Sequence, residues 1–290
     1  MNSIDLQTPA KINLYLGVLG RRPDGYHEIE TLFQAIDLFD YVSIKKSTNS
    51  SGIQVPNHPE LETPDNTALR ALSWLEGRVG RRLPATISIL KRIPIAAGLG
   101  GGSSDAAAVI LGLRELYDID LDEDELAKGA VSVGADVPFF LTGGTAVGEG
   151  IGEKLTPVEF PSNYELILVN PDFPVSTAKV YGLYSRGLTG RFAEGRLRRL
   201  LANKAGLEGL LYNDLQPVCE TLYPEIVHIR KGLSAAGIEH TLMSGSGPTV
   251  FGVITDSRTM PGREYLSSIF TKDTWTISTA RPIPFGVQLC

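Results

Sequence analysis

Residues 94–108 read Pro-Ile-Ala-Ala-Gly-Leu-Gly-Gly-Gly-Ser-Ser-Asp-Ala-Ala-Ala, a glycine-rich run that opens directly into a helical pattern. Ala106, Ala107, Val109, Ile110, Leu113 and Leu116 recur at helical spacing, and Ser103 or Ser104 is placed to cap the helix. Residues 85–90, just before the run, alternate as a strand does. Strand, side-chain-free loop and helix N-terminus together make an anion site. The glycines let backbone N–H groups close on phosphate oxygens, and the helix dipole favours the negative charge. The chemistry this predicts is a cradle for a nucleotide triphosphate; the alternative is a tight glycine turn without a ligand. A Walker loop needs Lys after the last glycine, where Ser103 stands. A dinucleotide fingerprint fits Gly98 and Gly100, but Ser103 replaces its third glycine.

Two charged residues sit in apolar company. In the strand predicted over residues 8–18, Lys11, Asn13 and Tyr15 share one face and Ile12, Leu14 and Leu16 the other. That face is either the polar wall of a cleft or a solvent-facing edge strand. Asp136 lies within Gly134-Ala135-Asp136-Val137-Pro138-Phe139-Phe140, where Pro138 biases Val137 towards an extended conformation and stops the preceding helix. An ionised carboxylate in such company needs a partner, because burying it alone is expensive. Lys11 is a partner for it, which would set a base beside a cation; a helix cap or a structural salt bridge fits the spacing equally. Gly25-Tyr26-His27 puts an aromatic next to a histidine, suited to the pocket of a ring-shaped ligand or to a surface loop. His58, His228 and His240 complete the histidines, and no two have metal-ligand spacing. Cys219 and Cys290 are far apart, so neither a disulfide framework nor a cysteine zinc site is expected.

The elements that must position these residues follow from composition and punctuation. At 290 residues, 42% hydrophobic, the chain can fill two modest domains or one large one. A net charge of −6 argues against nucleic-acid or anionic-membrane partners, which want a basic surface. No apolar run approaches the length of a bilayer span and the start lacks a signal or transit pattern, so a soluble cytoplasmic protein is expected. A turn at Pro23-Asp24-Gly25 leads into more strand, and helices are predicted from Asp65-Asn66-Thr67 and over residues 122–133. An apolar strand over 164–169 follows Pro161-Ser162-Asn163, where a soft boundary divides 1–160 from 161–290. A helix after Tyr223-Pro224-Glu225 and a second glycine loop, Ser244-Gly245-Ser246-Gly247-Pro248, precede a strand over 249–254. The basic run Arg191, Arg196, Arg198, Arg199 and Lys204 reads as a solvated helix face. Strands and helices mixed without regular alternation predict an α+β fold.

Taken in order, five segments resemble the GHMP kinases over residues 9–251. They are Pro9-Ala10-Lys11-Ile12-Asn13-Leu14, Gly25-Tyr26-His27, residues 94–108, Gly134-Ala135-Asp136-Val137-Pro138-Phe139 and Ser244-Gly245-Ser246-Gly247-Pro248. The triple glycine before Ser103-Ser104-Asp105, with the Gly-Tyr-His element, is similar to the members acting on a cytidine diphosphate-linked methylerythritol. The resemblance implies a two-domain α+β fold with the active site in the inter-domain cleft. It also implies ATP- and Mg²⁺-dependent phosphorylation of that small molecule's 2-hydroxyl, towards isoprenoid precursors, and leaves room for a homodimer. On this basis Asp136 is the base and Lys11 holds it and the hydroxyl in place. Asn66, Pro94, Gly98, Leu99, Gly100, Gly101, Gly102, Ser103 and Ser104 would meet ATP. Asn13, Tyr26, His27, Tyr181, Gly245 and Gly247 would meet the substrate, with Tyr181 stacking on cytosine. No metal ligand is implied, though Ser104 or Asp105 would be near. The alternatives are a sibling kinase for homoserine or a mevalonate-type alcohol, and a silent nucleotide-binding relative; retention of both Lys11 and Asp136 speaks against the second. Ala96-Ala97 stand where some members have glycines, and residues 187–209 and 282–290 carry no reading.

Overall fold

The computed structural model describes residues 1–48, 50–184, 195–256, 261–270, 272 and 274–290; Arg191 of the basic run lies outside them. Strand β1 (Ser3–Arg21) and strand β2 (His27–Lys46) form a long antiparallel hairpin, paired from Ser3↔Lys45 to Arg21↔His27. Around it the first sheet runs β12-β1-β2-β4-β3, with β3 (Gly52–Gln54), β4 (Ala85–Leu90) and β12 (Gln288–Leu289). Strands β5 (Thr145–Gly150), β6 (Lys154–Pro157) and β8 (Tyr212–Asn213) attach off this path. Helices α1 (Thr67–Val79), α2 (Gly101–Leu116), α3 (Glu123–Val133) and α4 (Val137–Thr142) contribute to one apolar core with Ile44, Ile87 and Ile89 of the strands.

Local chemistry starts two of these helices where the sequence says. Asn66 caps α1, its side-chain oxygen accepting from Ala68 N at 2.9 Å, and Asp122 caps α3, accepting from Glu125 N at 2.7 Å. Helix α2 differs. Its cap is Gly100, in the left-handed region at φ +75°, and Ser103 and Ser104 lie inside its first turn rather than capping it. The reason is packing: a Cβ on Gly100 would stand 2.6 Å from Cζ of Phe140.

The second sheet, β11-β7-β10-β9, is antiparallel throughout: β7 (Glu165–Asn170), β9 (Thr241–Met243), β10 (Val250–Ile254) and β11 (Thr276–Ala280). Ile226, Ile229 and Leu233 of the helix Pro224–Ala235 pack with Ile167, Val169 and Val250. Leu166, Leu168, Phe251 and Val253 of the second sheet join Ile12, Leu14 and Leu32 of the hairpin in a further core. β1 pairs with β2 along one side and with β12 and β8 along the other, and the Lys11 side chain is buried, which removes the solvent-facing edge-strand reading of Lys11. The architecture is the expected α+β pair of sheets. After β11 the chain returns to the first sheet, where Leu289 pairs with Leu6 and Gln288 with Gln7.

Candidate active site

The hairpin, the loop before α2, helix α5 (Thr177–Leu183) and the second glycine loop enclose a cleft of about 1330 Å³. Lys11 forms its floor. Strand pairing fixes the backbone of Lys11, and its N–H donates to Leu99 O at 2.9 Å. The ammonium donates to Asn13 Oδ1 at 2.7 Å and Gly98 O at 2.9 Å, and lies 3.7 Å from Asp136 Oδ2. Asn13 is oriented in turn by Thr31, whose hydroxyl accepts from Asn13 Nδ2 at 2.8 Å and donates to Tyr15 O at 2.6 Å. Burial pulls the Lys11 pKa below the usual lysine value, against the attraction of Asp136. Asp136 stands at the N-terminal boundary of α4 but makes no side-chain cap, and it is 33% exposed where Lys11 is 4%. The open side of the carboxylate therefore faces the cleft.

Gly98, Gly100, Gly101, Gly102 and Ser103 line the cleft beside this pair, together with Pro94 and Ala96. Leu99 and Ser104 do not. The Leu99 side chain is buried in the core between the sheets, and the Ser104 hydroxyl donates to Pro9 O at 2.6 Å beside Thr8 Oγ1. The second glycine loop packs against the first: Ser244 Oγ donates to Gly98 O at 2.9 Å, and a Cβ on Gly98 would lie 2.2 Å from Ser244 O. Gly245 and Ser246 line the cleft, whereas Gly247 lies behind them against Met243. Asn66 lines the cleft too, with its amide also donating to Leu61 O at 2.9 Å.

Tyr26, His27 and Tyr181 also line the cleft. The His27 and Tyr181 rings are 5.0 Å apart and tilted by 35°, and Tyr26 is 59% exposed at the rim. Burial, with the positive charge of Arg21, lowers the His27 pKa, which favours a neutral imidazole with one donor and one acceptor. Tyr15 is not part of the cleft. A pairing irregularity falls between Asn13 and Tyr15, and the Tyr15 ring packs on Tyr212 at 5.5 Å.

The sequence reading missed one buried cluster. Lys91 Nζ donates to Asp105 Oδ2 at 2.6 Å and pairs with Asp40, while Asp40 Oδ1 accepts from Ile93 N at 2.8 Å and from Arg92 N. Burial pushes the Asp105 carboxyl up to about 7 against the pull of Lys91. Burial likewise opposes the Lys91 charge, but the two carboxylates outweigh it and hold that pKa above the usual lysine value. Lys91 and Asp105 both reach the cleft wall. The available signal was a charged pair, Lys91-Arg92, directly after an apolar strand.

Comparison with known proteins accords with this geometry. Residues 66–144 match the GHMP kinases N terminal domain and residues 193–260 the GHMP kinases C terminal domain, so the class is that of the GHMP kinases, ATP-dependent small-molecule kinases. A 4-diphosphocytidyl-2-C-methyl-D-erythritol kinase of Geobacter metallireducens is 43% identical over 285 residues, covering 98% of this chain and 100% of its own. A crystal structure of a 4-(cytidine 5′-diphospho)-2C-methyl-D-erythritol kinase superposes with a TM-score of 0.78 at 34% identity, over 96% of this chain and 99% of the other. A homoserine kinase from Cytophaga hutchinsonii reaches the same TM-score at 17% identity, over 100% of this chain and 98% of its own, a likeness of fold alone. The chain belongs to the family of 4-diphosphocytidyl-2-C-methyl-D-erythritol kinases.

Proposed function

We propose that the protein transfers the γ-phosphoryl group of ATP to the 2-hydroxyl of 4-diphosphocytidyl-2-C-methyl-D-erythritol. The observation that carries this reading is the position of Lys11, whose ammonium touches the phosphate loop at Gly98 O and stands 3.7 Å from Asp136. One side chain thus ties the nucleotide cradle to the proton acceptor. Phosphoryl transfer asks little covalent help of a protein; it needs an in-line nucleophile, donors around the moving group and neutralised charge. Asp136 takes the proton of the 2-hydroxyl, a role worth about 10² to 10⁴ in rate. The substrate oxygen then forms its bond to the γ-phosphorus as the bond to the β–γ bridging oxygen breaks, and ADP leaves.

In this reading the phosphates lie on the backbone of Gly98, Gly100, Gly101 and Gly102 and on Ser103, with Pro94 and Asn66 towards the nucleoside and Leu99 anchoring the loop in the core. The hydroxyl of Ser104 is spent on Pro9 O and its N–H on Gly100 O at 2.9 Å, so Ser104 supports the loop from behind and does not meet phosphate. Tyr26, His27 and Tyr181 hold the cytosine; the neutral imidazole suits a base edge that offers both a donor and an acceptor. Asn13 meets the erythritol portion, and Gly245 closes the cleft from the second glycine loop, with Gly247 behind it against Met243.

Mg²⁺ fits the donors present. Among the described residues no group of three or more His, Cys, Asp or Glu is built to cage a metal. Mg²⁺ normally keeps its waters and takes one or two carboxylates besides substrate phosphates. Asp105 Oδ1, buried without a hydrogen-bond partner among the described residues, and Ser103 would hold it at the first turn of α2. When bound it neutralises phosphate charge. No helix among the described residues is long and apolar enough to cross a membrane.

Transfer of labelled phosphate from ATP to a panel of 4-diphosphocytidyl-2-C-methyl-D-erythritol, homoserine, mevalonate and galactose tests the assignment. Strong preference for the cytidyl compound is expected; preference for another acceptor overturns the pyrimidine pocket.

A further inference from the structure

Helix α4 is short and is gripped from both ends. Asp136 stands at its start. The ring of Phe140, one turn on, lies against the phosphate loop, because the Cβ that would clash at Gly100 meets Phe140 Cζ at 2.6 Å and Lys11 Cγ at 3.1 Å. The main-chain carbonyl of Phe140 meets the C-terminal tail instead, accepting from Val287 N at 3.0 Å. There the tail and the end of α4 approach too closely for side chains. A Cβ on Gly286 would lie 2.2 Å from Phe140 O, and one on Gly143 would lie 2.1 Å from Gly286 N.

The tail is fastened on both sides of this contact. Before it, Pro282 bridges to Ile36, Ile283 N donates to Ala35 O at 3.0 Å, Arg281 N donates to Asp37 Oδ1 at 2.6 Å, and the Phe285 ring lies parallel to Phe39 at 6.4 Å. After it, β12 pairs with β1 and Cys290 N donates to Asp5 O at 2.9 Å. The anchors at 35–39 lie on β2, the direct partner of the strand that carries Lys11, since Lys11 pairs with Ala35. Tail and catalytic lysine therefore share one rigid support, and α4 is held between them.

We infer that residues 282–287 form a strap that sets the position of α4, and that Gly286 is a positioning residue for phosphoryl transfer, acting through Phe140 on Asp136 and Gly100. The inference rests on Asp136 being the base. A close-packed interior passes a displacement on rather than absorbing it. Misplacing a reacting group by about 1 Å costs about 10²-fold in rate.

Two variants test the strap. Gly286→Ala drives a methyl group against the Phe140 carbonyl, and Val287→Pro removes the N–H that this carbonyl accepts. In each, kcat is expected to fall by at least about tenfold, measured at a temperature where thermal unfolding shows the variant folded. The pH profile of kcat should shift with it, because the Lys11–Asp136 separation changes, and the KM for ATP should move less than kcat. Truncation after Val287 removes β12 but keeps the strap, and should leave kcat within about twofold while lowering the thermal midpoint. Folded Gly286→Ala or Val287→Pro protein with wild-type kcat and pH profile overturns the strap. If Gly286→Ala does not fold, Val287→Pro decides alone. An active Asp136→Asn enzyme would instead overturn the base assignment, so the two failures are distinguishable.

Discussion

Lys11 Nζ stands 3.7 Å from Asp136 Oδ2 across 125 residues of sequence, one partner nearly buried and the other open to the cleft. The ammonium has three partners, Asn13 Oδ1, Gly98 O and Asp136, and so holds strand, phosphate loop and carboxylate together. Most of what this site does can be tested through those contacts.

Lys11→Met should lower kcat by about 10² to 10³, the usual loss when one preorganised electrostatic partner is removed. The same residue sets a pH dependence. Its folded-state pKa lies below the ordinary 10.5, so between that lowered value and 10.5 the unfolded chain binds the proton that the folded chain has released. The stability of the wild type relative to Lys11→Met should therefore rise with pH through that window. Parallel denaturant titrations of the two proteins measure it, and a falling difference contradicts the assignment.

Tyr181→Ala should raise the KM for the cytidyl substrate by about fivefold, the equivalent of about 1 kcal/mol of lost stacking, and leave the KM for ATP nearly unchanged. The ring faces His27 at 5.0 Å and lines the cleft. Equal effects on both substrates would place Tyr181 outside the base pocket.

Gly100→Ala combines two penalties. A left-handed residue with a Cβ costs about 1–2 kcal/mol, and the methyl would overlap the Phe140 ring. A higher KM for ATP and a lower thermal midpoint are expected together, because the phosphate loop and the α4 packing meet at this atom. A variant with wild-type ATP affinity would show that the loop does not hold phosphate.

Lys91→Met leaves Asp40 and Asp105 buried without their cation. Removing one member of such a cluster costs about 3–5 kcal/mol, far more than loss of an exposed pair. Urea unfolding checks the value, and a loss below about 1 kcal/mol would mean that the carboxylates find other partners.

Elements governed by local chemistry were legible in the sequence. Asn66 and Asp122 cap where their residue types say, and β4 occupies residues 85–90 as alternation predicts. The glycine run marked the loop, and the family motifs marked Lys11 and Asp136. What escaped was set by distant packing. Gly100 rather than a serine caps α2 because Phe140, 40 residues on, fills the space a Cβ would need. Period-two alternation put Tyr15 with Lys11, but a pairing irregularity turned it to Tyr212. The cluster of Asp40, Lys91 and Asp105 joins three elements, and the tail beyond residue 281 acquires meaning only where it meets α4.

The most direct test of the central claim is single-turnover phosphoryl transfer by Asp136→Asn, with ATP binding measured on the same sample. The amide keeps the shape and cannot take the proton. Transfer should slow by at least about 10² while the ATP dissociation constant stays within about threefold of wild type. Transfer at a rate within a few-fold of wild type would contradict Asp136 as the base and, with it, the account of the Lys11–Asp136 pair.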